Sequence, residues 1–224
     1  MKKSVIFTAL FFIISFILIA VYFFCGVGKR SGHSGDSDLS EESSIVSFIG
    51  TLDKIYMPFA SLKDRTDFDE MKPRFLDGFG AYRIAGHKHA GLDMEGDYNE
   101  PVYAIGRGIV KAVYGAFPYA TVLIFHFLPD NERVYSVYIH IEDICVAVNQ
   151  TVDCNTKLGR LFSEEQFLES GFYRNHLHFE IRKTFEKYRG LSIKCFSMEE
   201  LYRYFYDPLF FLKEKMKYVY GFTV

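Results

Sequence analysis

Six short apolar runs, each bounded by glycine or polar residues, constrain what this chain can fold into more than any other feature. They are PVYAIG (101–106), GIVKAVYG (108–115), ATVLIFHF (120–127), RVYSVYIHI (133–141), ICVAV (144–148) and HLHFEIR (176–182). Alternation of apolar and polar positions, with many β-branched and aromatic side chains, marks strands rather than helices. So many strands with little helix among them predict a mainly β domain, a compact antiparallel sheet or sandwich. The composition fits, because 49% of residues are hydrophobic, with 24 Phe, 16 Tyr and no Trp. At 224 residues the chain has room for one ordinary domain, which argues against a second.

The amino-terminal end obeys a different rule. After Met1-Lys2-Lys3, an apolar run from Val5 to Cys25 is broken only by Thr8 and Ser15, long enough to cross about 30 Å of hydrocarbon as a helix. Residues 1–25 are therefore expected to be a transmembrane anchor. A cleavable signal has a shorter apolar region and a small-residue cleavage site, whereas this run ends in Tyr22-Phe23-Phe24-Cys25. Acylation at Cys25, as in a lipoprotein, is the alternative. With lysines before the run and Lys29-Arg30 after it, the slight charge bias favours an internal amino terminus and an extracytoplasmic domain.

Residues 26–43 are glycine, serine and charge, and read as a flexible linker. Residues 44–73 form a mixed lead-in, residues 74–212 the expected domain, and residues 213–224 a tail. Within the domain a helical insertion is expected at SMEELYRYF (197–205), where Ser197 stands three residues before Glu200, a capping-box spacing. Cys145 and Cys154 could pair across neighbouring strands in an oxidising space, and buried free thiols are the equal alternative, for Cys195 as well. A formal charge of -2, from 26 basic and 28 acidic residues, gives no sign of a nucleic-acid surface.

Five of the seven histidines fall in three segments. In HKHAGLD (87–93), an extended backbone would put His89 and Asp93 about 13 Å apart. Both can reach one ion only if the chain bends between them, and Gly91 permits that bend. In NHLHFEI (175–181), strand alternation sends His176 and His178 to one face and Leu177 and Phe179 to the other. Two adjacent imidazoles are costly to bury without partners. His140, in YIHI, is flanked by apolar residues and, taken alone, reads as a structural histidine.

Together HAGLD, YIHI and HLHFE, in this order and at these intervals, resemble the three signature blocks of the lysostaphin/LytM family of zinc metallopeptidases. Phe79-Gly80-Ala81-Tyr82-Arg83, Pro101-Val102-Tyr103-Ala104 and Asp207-Pro208-Leu209 extend the resemblance over about residues 74–212. It implies a small antiparallel sheet with a groove over the metal. It also implies His89, Asp93 and His178 as zinc ligands with water in the fourth place, an open catalytic site. His140 and His176 match the family's two non-ligand histidines, which serve proton transfer and oxyanion stabilisation. Glu180 is either a hydrogen-bond partner of a site histidine or a solvent-facing strand residue. Arg83 either orients a substrate carboxylate or makes an internal salt bridge. His87 is expected as an exposed loop residue and His126 as structural.

Two stretches depart from the family. EEQFLESGFYRN (164–175) replaces a glycine- and threonine-rich approach to HLHFE, and residues 184–206 form a longer insertion that could narrow one side of the cleft. The expected activity is cleavage of cross-link or stem peptides of bacterial peptidoglycan in the cell envelope, with the membrane as the other partner. The alternatives are a non-catalytic regulator of other wall hydrolases and an envelope peptidase with a protein substrate. The regulator reading is marked by loss of ligands, and this chain retains the full set.

Overall fold

The computed structural model of the protein describes residues 50–185 and 194–217. The expected anchor, the linker, the first residues of the lead-in, the middle of the insertion and the end of the chain lie outside the described residues. Among the described residues, no helix is long and apolar enough to cross a membrane.

An eight-stranded antiparallel sheet carries the domain. After a short helix α1 (Phe68–Met71) come β1 (Phe75–Asp77), β2 (Leu92–Glu95), β3 (Pro101–Tyr103), β4 (Gly108–Tyr114), β5 (Thr121–Phe127), β6 (Arg133–Ile139), β7 (Thr151–Val152), β8 (Lys157–Arg160), α2 (Glu164–Ser170), β9 (His176–Arg182), α3 (Met198–Tyr204), β10 (Phe205–Tyr206) and α4 (Pro208–Lys217). The main sheet runs β1-β2-β9-β6-β5-β4-β7, and β3 pairs with β8 in a separate ribbon. Strand β9 is central, with β2 alongside His176 to Phe179, β10 alongside Ile181 and Arg182, and β6 on its other edge.

Period-two alternation divides the two faces as the sequence leads one to expect. Val122, Ile124, Val134, Tyr138, Leu177, Phe179 and Ile181 enter the main core. The other face carries a smaller cluster of Leu123, Val137 and Ile139, and Val137 and Ile139 stand opposite Glu180 and His178 of β9. The lead-in covers the main-core face: Leu52, Ile55, Met57 and Phe59 are buried there. Its backbone is tied down by Leu52 N–H to the Phe127 carbonyl at 2.7 Å and Tyr56 N–H to the Ile105 carbonyl at 2.9 Å.

The insertion helix is present as α3. Ser197 Oγ accepts the Glu200 N–H at 3.0 Å, and the Glu200 carboxylate takes the N–H of Phe196 rather than that of Ser197. One expectation fails, and one departure from the family pattern takes a definite form. ICVAV is a loop, not a strand, because the backbone enters the left-handed region at Asp143 (φ 49°) and Asn149 (φ 70°) on either side of it. EEQFLES is a helix, α2, closed by a full capping box between Ser163 and Gln166 and ended by Gly171 at φ 70°. Cys145, Cys154 and Cys195 are free thiols, exposed, half-buried and buried in that order.

Candidate metal centre

Strands β2 and β9 lie side by side with Asp93 opposite His178, which sets a carboxylate beside an imidazole. His89 joins them from the segment before β2, where the chain bends at Gly91. A Cβ at Gly91 would lie 2.5 Å from the Phe179 carbonyl and 2.8 Å from His178 Nε2. Glycine is required there for space against β9, which lets the first histidine approach the second.

Hydrogen bonds fix the tautomers of both imidazoles. His89 Nδ1 lies 2.9 Å from the Gly78 carbonyl, which can only accept, so Nδ1 carries the hydrogen and Nε2 a lone pair. His178 Nε2 lies 3.0 Å from Glu180 Oε1, so its Nδ1 carries the lone pair. Those two nitrogens are 2.9 Å apart, and Asp93 Oδ1 lies 2.8 Å from His178 Nδ1 and 3.1 Å from His89 Nε2. All three residues are buried.

Three electron-rich atoms so close together, with their own hydrogens committed elsewhere, repel unless a cation stands among them. Tetrahedral ligands at about 2.0 Å from zinc are spaced about 3.3 Å apart, close to the observed separations. His89, Asp93 and His178 thus form a cluster able to hold a metal ion. Without a metal, a proton plays that part. Burial opposes charge on His178, but hydrogen bonds to Asp93 and Glu180 outweigh it and raise its pKa to about 9. Burial also opposes ionisation of Asp93, and hydrogen bonds from His178 and His89 overcome it, holding the carboxyl well below its usual range.

Supporting contacts extend outward. Arg83 binds Asp93 Oδ2 at 2.6 Å and Asp77 Oδ2 at 3.0 Å, so it makes an internal ion pair and leaves Oδ1 to the cluster. Glu180 is fully buried; its second oxygen accepts from Arg182 Nε at 2.7 Å, and Arg182 is itself fully buried. Sequence reading overlooked Arg182, although the same alternation that paired His176 with His178 continues through Glu180 to this residue.

His140 and His176 stand beside the cluster, their ring centroids 5.0 Å apart. Pro118 and Arg174 carbonyls, each at 2.7 Å, hold their Nδ1 hydrogens, which leaves both Nε2 atoms as free bases; that of His176 is 3.9 Å from Asp93 Oδ1. Burial lowers the His140 pKa to about 3, helped by the positive fields of His176 and His178. His176 is lowered by the same principal cause, burial. His140 sits at φ 69°, a left-handed conformation uncommon outside glycine that clusters at functional sites. Phe172 packs edge-on at 4.7 Å and Tyr119 at 5.5 Å from the His140 ring, an aromatic wall with no sequence motif of its own. A cleft of about 900 Å³ opens over these groups and also reaches Arg83, His87, Tyr173 and Lys194.

His87 is half-buried in the cleft lining rather than exposed. His126 lies on the opposite face of the sheet, fully buried, with Nδ1 2.5 Å from the Arg107 carbonyl and Nε2 2.7 Å from Ser136 Oγ. Its role is structural, as expected.

Residues 87–190 match the model of peptidase family M23, a stretch that contains the cluster and both neighbouring histidines. That stretch of the chain thus resembles an M23 peptidase domain. Among solved structures, the antimicrobial peptidase lysostaphin from Staphylococcus simulans is similar at 21% identity, over 67% of this chain and 52% of that one, with a TM-score of 0.45. LytU is similar at 20% identity, over 63% and 85%, with a TM-score of 0.44. A zinc-containing peptidase from Vibrio cholerae is similar at 22% identity, over 57% and 36%, with a TM-score of 0.42. The chain spans 36%, 50% and 52% of the first three solved structures it matches. Comparison with curated proteins gives no match.

Proposed function

We propose that the chain is a zinc-dependent endopeptidase that hydrolyses peptide bonds in the cross-links or stem peptides of bacterial peptidoglycan. One observation carries this reading: two lone-pair nitrogens and a carboxylate oxygen converge within 3.1 Å at the base of a cleft, beside two further histidines with free Nε2 atoms. His89 Nε2, Asp93 Oδ1 and His178 Nδ1 would hold the ion. Zinc bound there supplies Lewis acidity, which activates water and polarises the scissile carbonyl.

The chain's own groups do the rest. Arg83 and Glu180 orient the ligating side chains. Neutral His140 and His176 can each accept a proton from the attacking water at Nε2, and each in its protonated form can donate to the developing oxyanion or the leaving amine. The aromatic wall of Tyr119 and Phe172 excludes water from that side. The apolar run from Val5 to Cys25 supports a membrane anchor with the domain on the extracytoplasmic side, where its polymer lies; mass spectrometry of the amino terminus separates an uncleaved span from acylation at Cys25. Digestion of purified peptidoglycan, with mass analysis of the fragments, tests the activity. Release of peptide-cut fragments that stops on chelation is expected, and intact polymer under both conditions would refute it.

A further inference from the structure

Four cations (Arg83, Lys88, Arg174 and Lys194) line the cleft against two carboxylates, Asp77 and Asp93. Both carboxylates are tied to Arg83, at 3.0 and 2.6 Å. Four cations against two carboxylates leave the lining a formal excess of two positive charges. Arg174 is paired with Glu95, outside the lining, at 2.9 Å, and Lys88 and Lys194 are the lining cations that form no ion pair among the described residues. The chain as a whole has a formal charge of -2, so this concentration of positive charge is local to the cleft.

The two lysines are brought together by the stretch that departs from the family pattern. Lys88 N–H donates to the Cys195 carbonyl at 2.6 Å, and the same residue bridges to Tyr82 on its other side. Lys88 Nζ rests 3.3 Å from the centre of the Tyr82 ring, which holds the ammonium in place without a counter-ion. The pairing with Cys195 sets the adjacent, exposed Lys194 in the same lining. Arg174 enters from a separate segment, next to His176, whose Nδ1 its carbonyl holds. A concave surface with one sign of charge focuses its field on whatever enters, and a divalent ion at the cluster adds to that sign.

We infer that the cleft selects peptides with free carboxylates near the scissile bond, with Lys88 and the insertion residue Lys194 as the specificity determinants. This rests on the peptidase reading and narrows its substrate class to anionic peptides. A neutral or amidated peptide of the same length gains none of the Coulombic attraction, and salt screens it for the anionic one.

Calorimetric binding to the full-length chain tests this, with a stem-type tetrapeptide carrying two free carboxylates and its bis-carboxamide as probes. The wild type is expected to bind the carboxylate form at least tenfold more tightly at low salt, with the gap shrinking as salt rises. Lys88→Gln with Lys194→Gln should reduce the preference below twofold, and Lys88→Arg with Lys194→Arg should restore it. Equal binding of the two probes by the wild type, binding of neither, or a preference that survives the glutamine pair would overturn the inference. The hydrolase reading fails separately, if peptidoglycan stays intact while the preference for carboxylates persists.

Discussion

Ile139, the last residue of β6, pairs in register with His178 on β9, and the left-handed turn at the next residue sends His140 toward the cluster beside that partner. The placement of His140 thus depends on where one strand stops. His140→Ala or His176→Ala should leave metal content unchanged and lower cleavage by about 10²- to 10⁴-fold, the usual contribution of a general acid or base. Steady-state rates with metal analysis of the same samples check this. Near-normal turnover in either variant would remove that histidine from the chemistry.

Glu180 bears on the candidate metal centre through His178, whose Nε2 lies 3.0 Å from the Glu180 Oε1. Replacing it with Gln keeps an acceptor for the Nε2 hydrogen but removes the charge and leaves Arg182, fully buried, without its carboxylate. Metal affinity should fall by about 10- to 100-fold, read by competition with a chromophoric chelator. An unaltered affinity would reduce Glu180 to a packing residue.

At Gly91 the added Cβ of alanine meets backbone, the Phe179 carbonyl at 2.5 Å, so β2 and β9 must move apart. Gly91→Ala should cost about 1 to 3 kcal/mol of stability and weaken metal binding together with it. Thermal unfolding with and without zinc measures both, and a variant matching the wild type in each would mean the strands absorb the methyl group without cost.

His126 provides a pH signature away from the site. Its Nδ1 hydrogen goes to the Arg107 carbonyl, so Nε2 accepts from Ser136, and burial lowers its pKa from 6.5 to about 4. Between those values the unfolded chain binds a proton that the folded chain does not, so stability falls as pH drops through this window, by about 1.4 kcal/mol per unit at most. Denaturant titrations of the metal-free protein at several pH values should show a shallower slope for His126→Gln than for the wild type. Parallel curves would mean His126 is charged in the fold.

The strands that carry the site were legible because their side chains alternate: HLHFEIR divides cleanly between core and chemistry. The loop at ICVAV was not, since a short apolar run has no period to distinguish a strand from a buried loop, and the left-handed residues that end pairing are ordinary Asp and Asn. Helix α2 had a readable signal in Ser163 and Gln166, obscured by a family pattern that leads to expect something else there. His89, Asp93 and His178 could be read as a set only through their resemblance to known blocks. Spacing alone gives no information on which nitrogen faces inward, because that depends on the Gly78 carbonyl, which lies outside both motifs, and on Glu180, for which the strand pattern leaves a partner of a site histidine and a solvent-facing residue equally open. The cationic lining was illegible for the same reason, as Lys88 and Lys194 meet only through a bridge between residues far apart in the chain.

Metal content of the purified chain tests the central claim most directly. Elemental analysis should find close to one zinc per chain in the wild type and in His140→Ala, and almost none in Asp93→Ala or His178→Ala. Retention of zinc by both ligand variants, or its absence from a folded wild type supplied with the ion, would contradict the account.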